Sequence, residues 1–145
     1  MFDYDRWANL QWLDAANSLG KQDILLHIVE AQVTWLTRIE GTPVWQPTLE
    51  DFGIHLDRSV GRWKRFLLGA DLGKVISYTT SRGDHYDSEV SEIIRHVINH
   101  GTYHRGQLRG IAGERGMDFP ETDYIHFVRS PFASAGLARG GALTL

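Results

Sequence analysis

The chain has 145 residues, of which 42% are hydrophobic and 23% are charged, and its formal net charge is -3. A chain of this length and average composition forms one globular domain, which excludes disordered and fibrous classes. Scattered charges exclude a basic surface for nucleic acid, and the absence of cysteine excludes disulfides, thiolate metal ligands and a cysteine nucleophile.

Two helices are predicted in the first 41 residues. Apolar residues recur every three positions from Trp7 to Ala16, and Gly20 ends this first helix. Asp23 is a favourable N-cap for the second helix, whose apolar positions keep helical spacing as far as Gly41.

A third helix and an extended segment follow. After Thr48, apolar residues repeat at intervals of three or four until Gly69, which predicts the third helix. Residues 75–86 instead alternate and then reach an Arg-Gly-Asp turn, so we expect an extended arm or a short hairpin there.

The fourth helix is predicted to be the longest. Asp87 and Ser88 are interpreted as its N-terminal caps, and its apolar stripe keeps a helical period for about six turns, until Gly113 or Gly116. Four helices with one apolar face each bury those faces best against one another. The predicted fold class is therefore all-α, with a four-helix bundle architecture.

The chain is predicted to consist of one domain followed by a tail. Residues 1–128 are expected to form the bundle, and residues 129–145, rich in Gly and Ala, a poorly ordered tail. Asp3, Asp5 and Arg6 stand where a signal peptide would have an apolar core, and no window reaches the roughly 18 apolar residues of a membrane span. We therefore expect a cytoplasmic protein without a membrane partner.

Two histidines of the fourth helix carry the chemical signal. His100 and His104 are four residues apart on the apolar stripe, so their Cβ atoms should lie about 5–6 Å apart and could share one ion. Burying two imidazoles costs free energy unless each ring has a partner, and a metal ion serves both. A carbonyl or a buried water is an equally good partner on spacing alone.

His27 is the candidate for a third ligand. It lies on the flank of the second helix's apolar stripe and should face the bundle interior. Three neutral imidazoles leave positions open on a divalent ion, which is typical of catalytic sites. His96 continues the four-residue spacing but is interpreted as lying beside the ligands or facing solvent. Trp35, two turns after His27, is interpreted as a core residue, with the mouth of a pocket as the alternative.

Residues 96–107 resemble the signature of the DinB family, bacterial four-helix-bundle proteins also described as DinB/YfiT-like metalloenzymes. Residues 4–9 and 27–41 are similar to the first two helices of that family, and residues 120–124 to its usual ending. The resemblance covers nearly the whole chain outside the tail. It implies an up-down-down-up order of helices with a long crossover, which residues 69–87 would form.

The resemblance implies that His27, His100 and His104 hold one divalent ion, nickel or zinc, in a homodimer that acts on a small molecule. Related enzymes use a low-molecular-weight thiol such as bacillithiol, mycothiol or glutathione. The leading hypothesis is a metal-dependent thiol transferase or hydrolase whose nucleophile is a thiolate or hydroxide on the metal. No side chain is assigned as catalytic. The alternatives are a stress-induced metal-binding module without turnover and a metal-free small-molecule binder.

The resemblance also singles out two residues that follow the last histidine. Gln107, one turn after His104, is interpreted as orienting a ligand or the substrate. Arg105 is expected to point off the apolar stripe and to form an ion pair or a dimer contact.

Overall fold

A computed structural model describes residues 1–133 of the chain, which are mostly helical with one small hairpin. In chain order the elements are α1 (Phe2–Gln11), α2 (Leu13–Leu19), α3 (Gln22–Glu40), α4 (Phe52–Leu67), β1 (Val75–Thr79), β2 (His85–Glu89), α5 (Val90–Glu114) and α6 (Tyr124–Val128). The predicted helical class is confirmed over these residues. From residue 134 onward, the expected tail lies outside the described residues.

The predicted first helix is interrupted at Trp12, so that it becomes α1 and α2. The Trp12 backbone remains right-handed, with φ -80° and ψ -9°. Its side chain is buried, and its indole Nε1 donates to Thr122 Oγ1 at 3.0 Å. A tertiary contact thus holds the residue at which the two helices meet. Gly20, with φ 65°, ends α2 as the sequence predicts.

The predicted caps of the second and fourth helices are wrong. Lys21 is the N-cap of α3, and Asp23 lies in its first turn, where a carboxylate still favours the helix dipole. Asp87 and Ser88 belong to β2, where they are paired with β1. Because strand pairing occupies both residues, α5 begins only at Val90.

The expected hairpin in the segment after α4 is confirmed. Strands β1 and β2 pair antiparallel, with Tyr78 opposite Tyr86. Ile76 is buried in the core and ties the hairpin to the helices. The hairpin contacts α3 through β1 and leads directly into α5 through β2.

The core lies between the long helices. Both α1 and α3 pack against α4 and against α5. Trp12 and Trp63 are the largest fully buried side chains, and they are surrounded by Leu, Ile and Val from several helices. Within residues 1–133, no helix combines the length and apolarity that a bilayer crossing demands.

A buried polar network joins α1, α3, α4 and α5, and its members are Asp5, Asn9, Gln32, Ser59 and Arg105. Arg105 Nη1 donates to Asp5 Oδ1 at 2.7 Å and to Asn9 Oδ1 at 2.9 Å. Asp5 Oδ2 accepts from the amides of Asn9 and Gln32, and Ser59 donates to Gln32 Oε1 at 2.8 Å. The ion-pair interpretation of Arg105 is confirmed. Its expected position off the stripe is wrong, because a buried carboxylate gives it a partner inside.

Gly101 lies on α5 where this network comes closest to the helix backbone. A Cβ atom there would lie 2.5 Å from Asp5 Oδ1 and 3.0 Å from Arg105 Nη1. Gly101→Ala should therefore lower the free energy of unfolding by about 1–3 kcal/mol through overpacking, despite the gain in helix propensity. Denaturant unfolding measures the change.

Gly110 provides the matched control on the same helix. Nothing lies within 4 Å of a Cβ atom at this position. Gly110→Ala should raise the free energy of unfolding by about 0.5–1 kcal/mol, because alanine is the better helix former. A Gly101→Ala variant that gained stability like Gly110→Ala would contradict the close approach of the network.

Candidate metal centre

The three histidines named as ligands meet at the seam between α3 and α5. The ring centroid of His27 lies 4.9 Å from that of His100 and 4.8 Å from that of His104. The centroids of His100 and His104 are 4.4 Å apart. One nitrogen atom from each ring lies within 4.8 Å of the other two. We call His27, His100 and His104 the histidine triad.

His100 and His104 are placed as two ligands of one ion would be. Their Nε2 atoms are 3.2 Å apart. Two nitrogens bound to a tetrahedral ion at about 2.0–2.1 Å lie about 3.3 Å from each other. The same distance also allows one hydrogen bond, when one ring carries the proton. The helical spacing of four residues produces this approach directly.

Gln107 favours one tautomer of His104. Its Oε1 atom lies 3.0 Å from His104 Nδ1. Because a carbonyl oxygen only accepts, this contact favours the tautomer with the proton on Nδ1, which leaves the Nε2 lone pair for the other two rings. Gln107 thus orients a member of the triad, one of the two roles that the sequence suggests for it.

His100 is held in the neutral form that metal coordination requires. Burial, and after it the charges that His104, His27 and His96 would carry when protonated, together lower the pKa of His100 to about 4. Its Nδ1 atom is buried and has no hydrogen-bond partner among the described residues. A neutral ring whose Nε2 atom faces two other imidazoles is able to coordinate a metal ion.

The triad lies at the protein surface, so the expectation that its rings face the bundle interior is wrong. The side chain of His27 is 51% exposed, and His100 and His104 are partly buried. Glu30 Oε2 lies 3.9 Å from His27 Nδ1, on the solvent side. A residue on the flank of an apolar stripe can lie at the edge of the contact between two helices. His27 lies at the edge of the contact between α3 and α5. The consequence is a site that a small molecule can reach.

His96 and Trp35 extend the site along the seam. His96 is exposed and lies beside His100, outside the close group of three, in agreement with its interpretation from sequence. Trp35 is partly buried, with its ring 5.3 Å from that of His96. It therefore lies at the edge of the core. This position agrees in part with its interpretation as a core residue and in part with the alternative that it lines the mouth of a pocket.

A second close group, which the sequence analysis missed, lies at α6. Ligand atoms of Glu121, Asp123 and His126 also lie within 4.8 Å of one another. All three residues are exposed, and Glu121 is 3.8 Å from Arg109. Exposed acidic groups often lie this close without an ion, and Arg109 already supplies a positive charge. The sequence offered one signal for this group, which is that the three residues lie close together in the chain around the start of α6.

Comparisons with known proteins agree with the sequence signature. The sequence model of the DinB family matches residues 69–134. Protein DinB of Bacillus subtilis (strain 168) is 23% identical, over 86% of this chain and 89% of that relative. No solved structure gives a significant match. The predicted resemblance is confirmed. The residues that match the family model include His100 and His104, whereas His27 precedes them in the chain and is brought to the site by the fold.

Proposed function

We propose that this chain is a protein of the DinB family that holds one divalent metal ion between His27, His100 and His104 and uses it in thiol transfer or hydrolysis. The observation that carries the proposal is the meeting of three imidazole nitrogens, from two helices, within 4.8 Å of one another. Neutral imidazoles suit zinc and nickel among the common ions. The choice between these metals, the thiol and the expected homodimer stay predictions from the family resemblance.

The residues around the triad support a metal site that is open to solvent on one side. Gln107 turns the Nε2 lone pair of His104 towards its neighbours, and the low pKa of His100 keeps that ring ready to bind at neutral pH. His27 closes the group from α3 while leaving its own outer side exposed. A bound divalent ion would lower the pKa of a thiol or water beside it and so favour the nucleophilic anion.

We also propose the up-down-down-up bundle for the long helices. Along α3, His27 contacts His104, whereas Trp35, eight residues later, contacts His96, so α3 and α5 run in opposite directions. Asp3 pairs with Lys64 and Arg6 with Asp57, which supports opposite directions for α1 and α4 as well.

In this arrangement α3 and α4 run in the same direction, and residues 41–51 provide the long crossover. Fully extended, they reach up to about 36 Å, whereas the 19 residues of α3 span about 28 Å. The crossover expected at residues 69–87 instead contains most of the hairpin between α4 and α5.

Elemental analysis of the freshly purified protein tests the metal proposal. One equivalent of nickel or zinc per chain is the expected result, and protein that retains no metal and binds none on titration would refute it. Cobalt substitution and addition of a small thiol then test the chemistry. A thiol that alters the cobalt spectrum supports an open, reactive position, and a spectrum indifferent to thiol favours a metal-binding module without turnover.

A further inference from the structure

A row of aromatic rings leads away from the histidine triad along the seam between α3 and α5. The ring centroid of His96 lies 5.5 Å from that of His100 and 5.3 Å from that of Trp35. Tyr78 of β1 follows at 4.8 Å from Trp35, and Tyr86 of β2 at 6.2 Å from Tyr78. We call His96, Trp35, Tyr78 and Tyr86 the ring row. It connects the triad to the hairpin.

The ring row is accessible from solvent. His96 and Tyr86 are exposed, and Trp35 and Tyr78 are only partly buried. A groove of about 370 Å³ lies on the hairpin at the end of the ring row, and its lining combines Tyr78 and Tyr86 with residues of the opposite strand face, Ser77, Thr79, His85 and Asp87. This volume suits a small molecule, and contiguous exposed rings on a soluble domain commonly mark a binding surface.

Arg38 places a positive charge at the hairpin end of the ring row. Its guanidinium carbon lies 4.7 Å from the ring centroid of Trp35 and 5.3 Å from that of Tyr78. One nitrogen donates to the carbonyl of Thr79 at 3.3 Å. In the described part of the chain, no carboxylate forms a salt bridge with Arg38, unlike Arg6, Arg62 and Arg105. Its other donors are suited to an anionic group of a ligand.

We propose that the ring row binds the substrate of the triad, and that this substrate carries a flat apolar group followed by a single carboxylate. The inference rests on the proposed metal function, since the triad would hold the reacting end of the same molecule. Triad, rings and Arg38 follow one another along the seam, so the substrate's reacting group, flat group and carboxylate follow in that order, with a spacer before the flat group. Arg38 offers one guanidinium without a salt bridge among the described residues, which suits a single carboxylate.

Three thiol probes on the cobalt-loaded protein separate these contributions. Two ring-to-ring steps separate His100 from Trp35, so each probe carries a spacer long enough to reach it. The compound 11-mercaptoundecanoate has a thiol and a carboxylate, 6-phenylhexane-1-thiol has a thiol and a ring, and 4-(6-mercaptohexyl)benzoate has all three groups. The charge-transfer band of a cobalt thiolate reports the binding of each probe. We expect 4-(6-mercaptohexyl)benzoate to bind about tenfold more tightly than 11-mercaptoundecanoate, because only the former places a ring on the ring row.

Variants of Trp35 and Arg38 show which of these residues is responsible for each difference in affinity. Trp35→Leu should bring the affinities for 4-(6-mercaptohexyl)benzoate and 11-mercaptoundecanoate close to equality, and Trp35→Phe should keep most of the tenfold preference for the former. Arg38→Gln should remove the preference for 4-(6-mercaptohexyl)benzoate over 6-phenylhexane-1-thiol. Trp45→Leu is the matched control, because Trp45, like Trp35, lies beneath a guanidinium group, in its case those of Arg58 and Arg62, but on the α4 side of the protein. It should leave every ratio unchanged.

The outcomes distinguish this inference from the metal proposal. Equal binding of all three thiols, or an unchanged preference in Trp35→Leu, would overturn the inference while the cobalt band still supported the metal site. No band with any thiol would overturn the proposed function, and this inference with it. A ratio of affinities within one variant is insensitive to a general loss of folded protein, and Trp35→Phe and Arg38→Gln keep the test available if Trp35→Leu does not fold.

Discussion

Replacing His100 by alanine should remove nearly all bound metal from the protein while leaving its helical content unchanged. Its ring centroid lies 4.4 Å from that of His104 and 4.9 Å from that of His27, so its loss leaves two donors on separate helices. Loss of a residue that only orients a ligand already weakens metal affinity about 10- to 100-fold. Loss of a ligand should therefore exceed about 100-fold, as measured by competition with a chelator.

His126→Ala is the control for this experiment, because it removes a histidine from the second close group, at α6. If the triad holds the ion, this variant keeps its metal. Loss of metal in His126→Ala but not in His100→Ala would move the site to Glu121, Asp123 and His126. Circular dichroism of both variants verifies that each remains folded.

The triad shows how far a helical pattern can predict a site. The pair His100 and His104 follows from a spacing of four on one helix, a distance that the helix itself sets. His27 follows from the apolar stripe of α3, since a residue on its flank points towards a neighbouring helix. The stripe does not indicate how much of that flank the neighbour covers. For this reason the exposure of His27 could not be predicted.

The buried polar network could not be predicted from either helix alone. Asp5 and Arg105 lie 100 residues apart, and each resembles a surface residue in its own segment. The available signal was the spacing of four between Asp5 and Asn9, which puts two polar groups on one face of α1, next to the apolar residues Tyr4 and Ala8.

Strand pairing explains why Asp87 and Ser88, good caps by residue type, do not cap α5.

Replacing Arg105 by methionine should destabilise the protein more than any change to a surface ion pair. Arg105 is 3% exposed and Asp5 is 0% exposed. The variant would leave a buried carboxylate with only the amides of Asn9 and Gln32 as donors. Loss of one partner of a buried pair costs about 3–5 kcal/mol, which urea unfolding of the metal-free protein can measure.

Arg6→Met makes the same chemical change in an exposed pair. Arg6 and its partner Asp57 have side chains that are 41% and 55% exposed, so its loss should cost no more than about 1 kcal/mol. The double variant Asp5→Asn with Arg105→Met should be more stable than Arg105→Met alone, because no unpaired charge remains buried. If Arg105→Met were no less stable than Arg6→Met, water would have to reach Asp5, and the close packing of Gly101 against it would not hold.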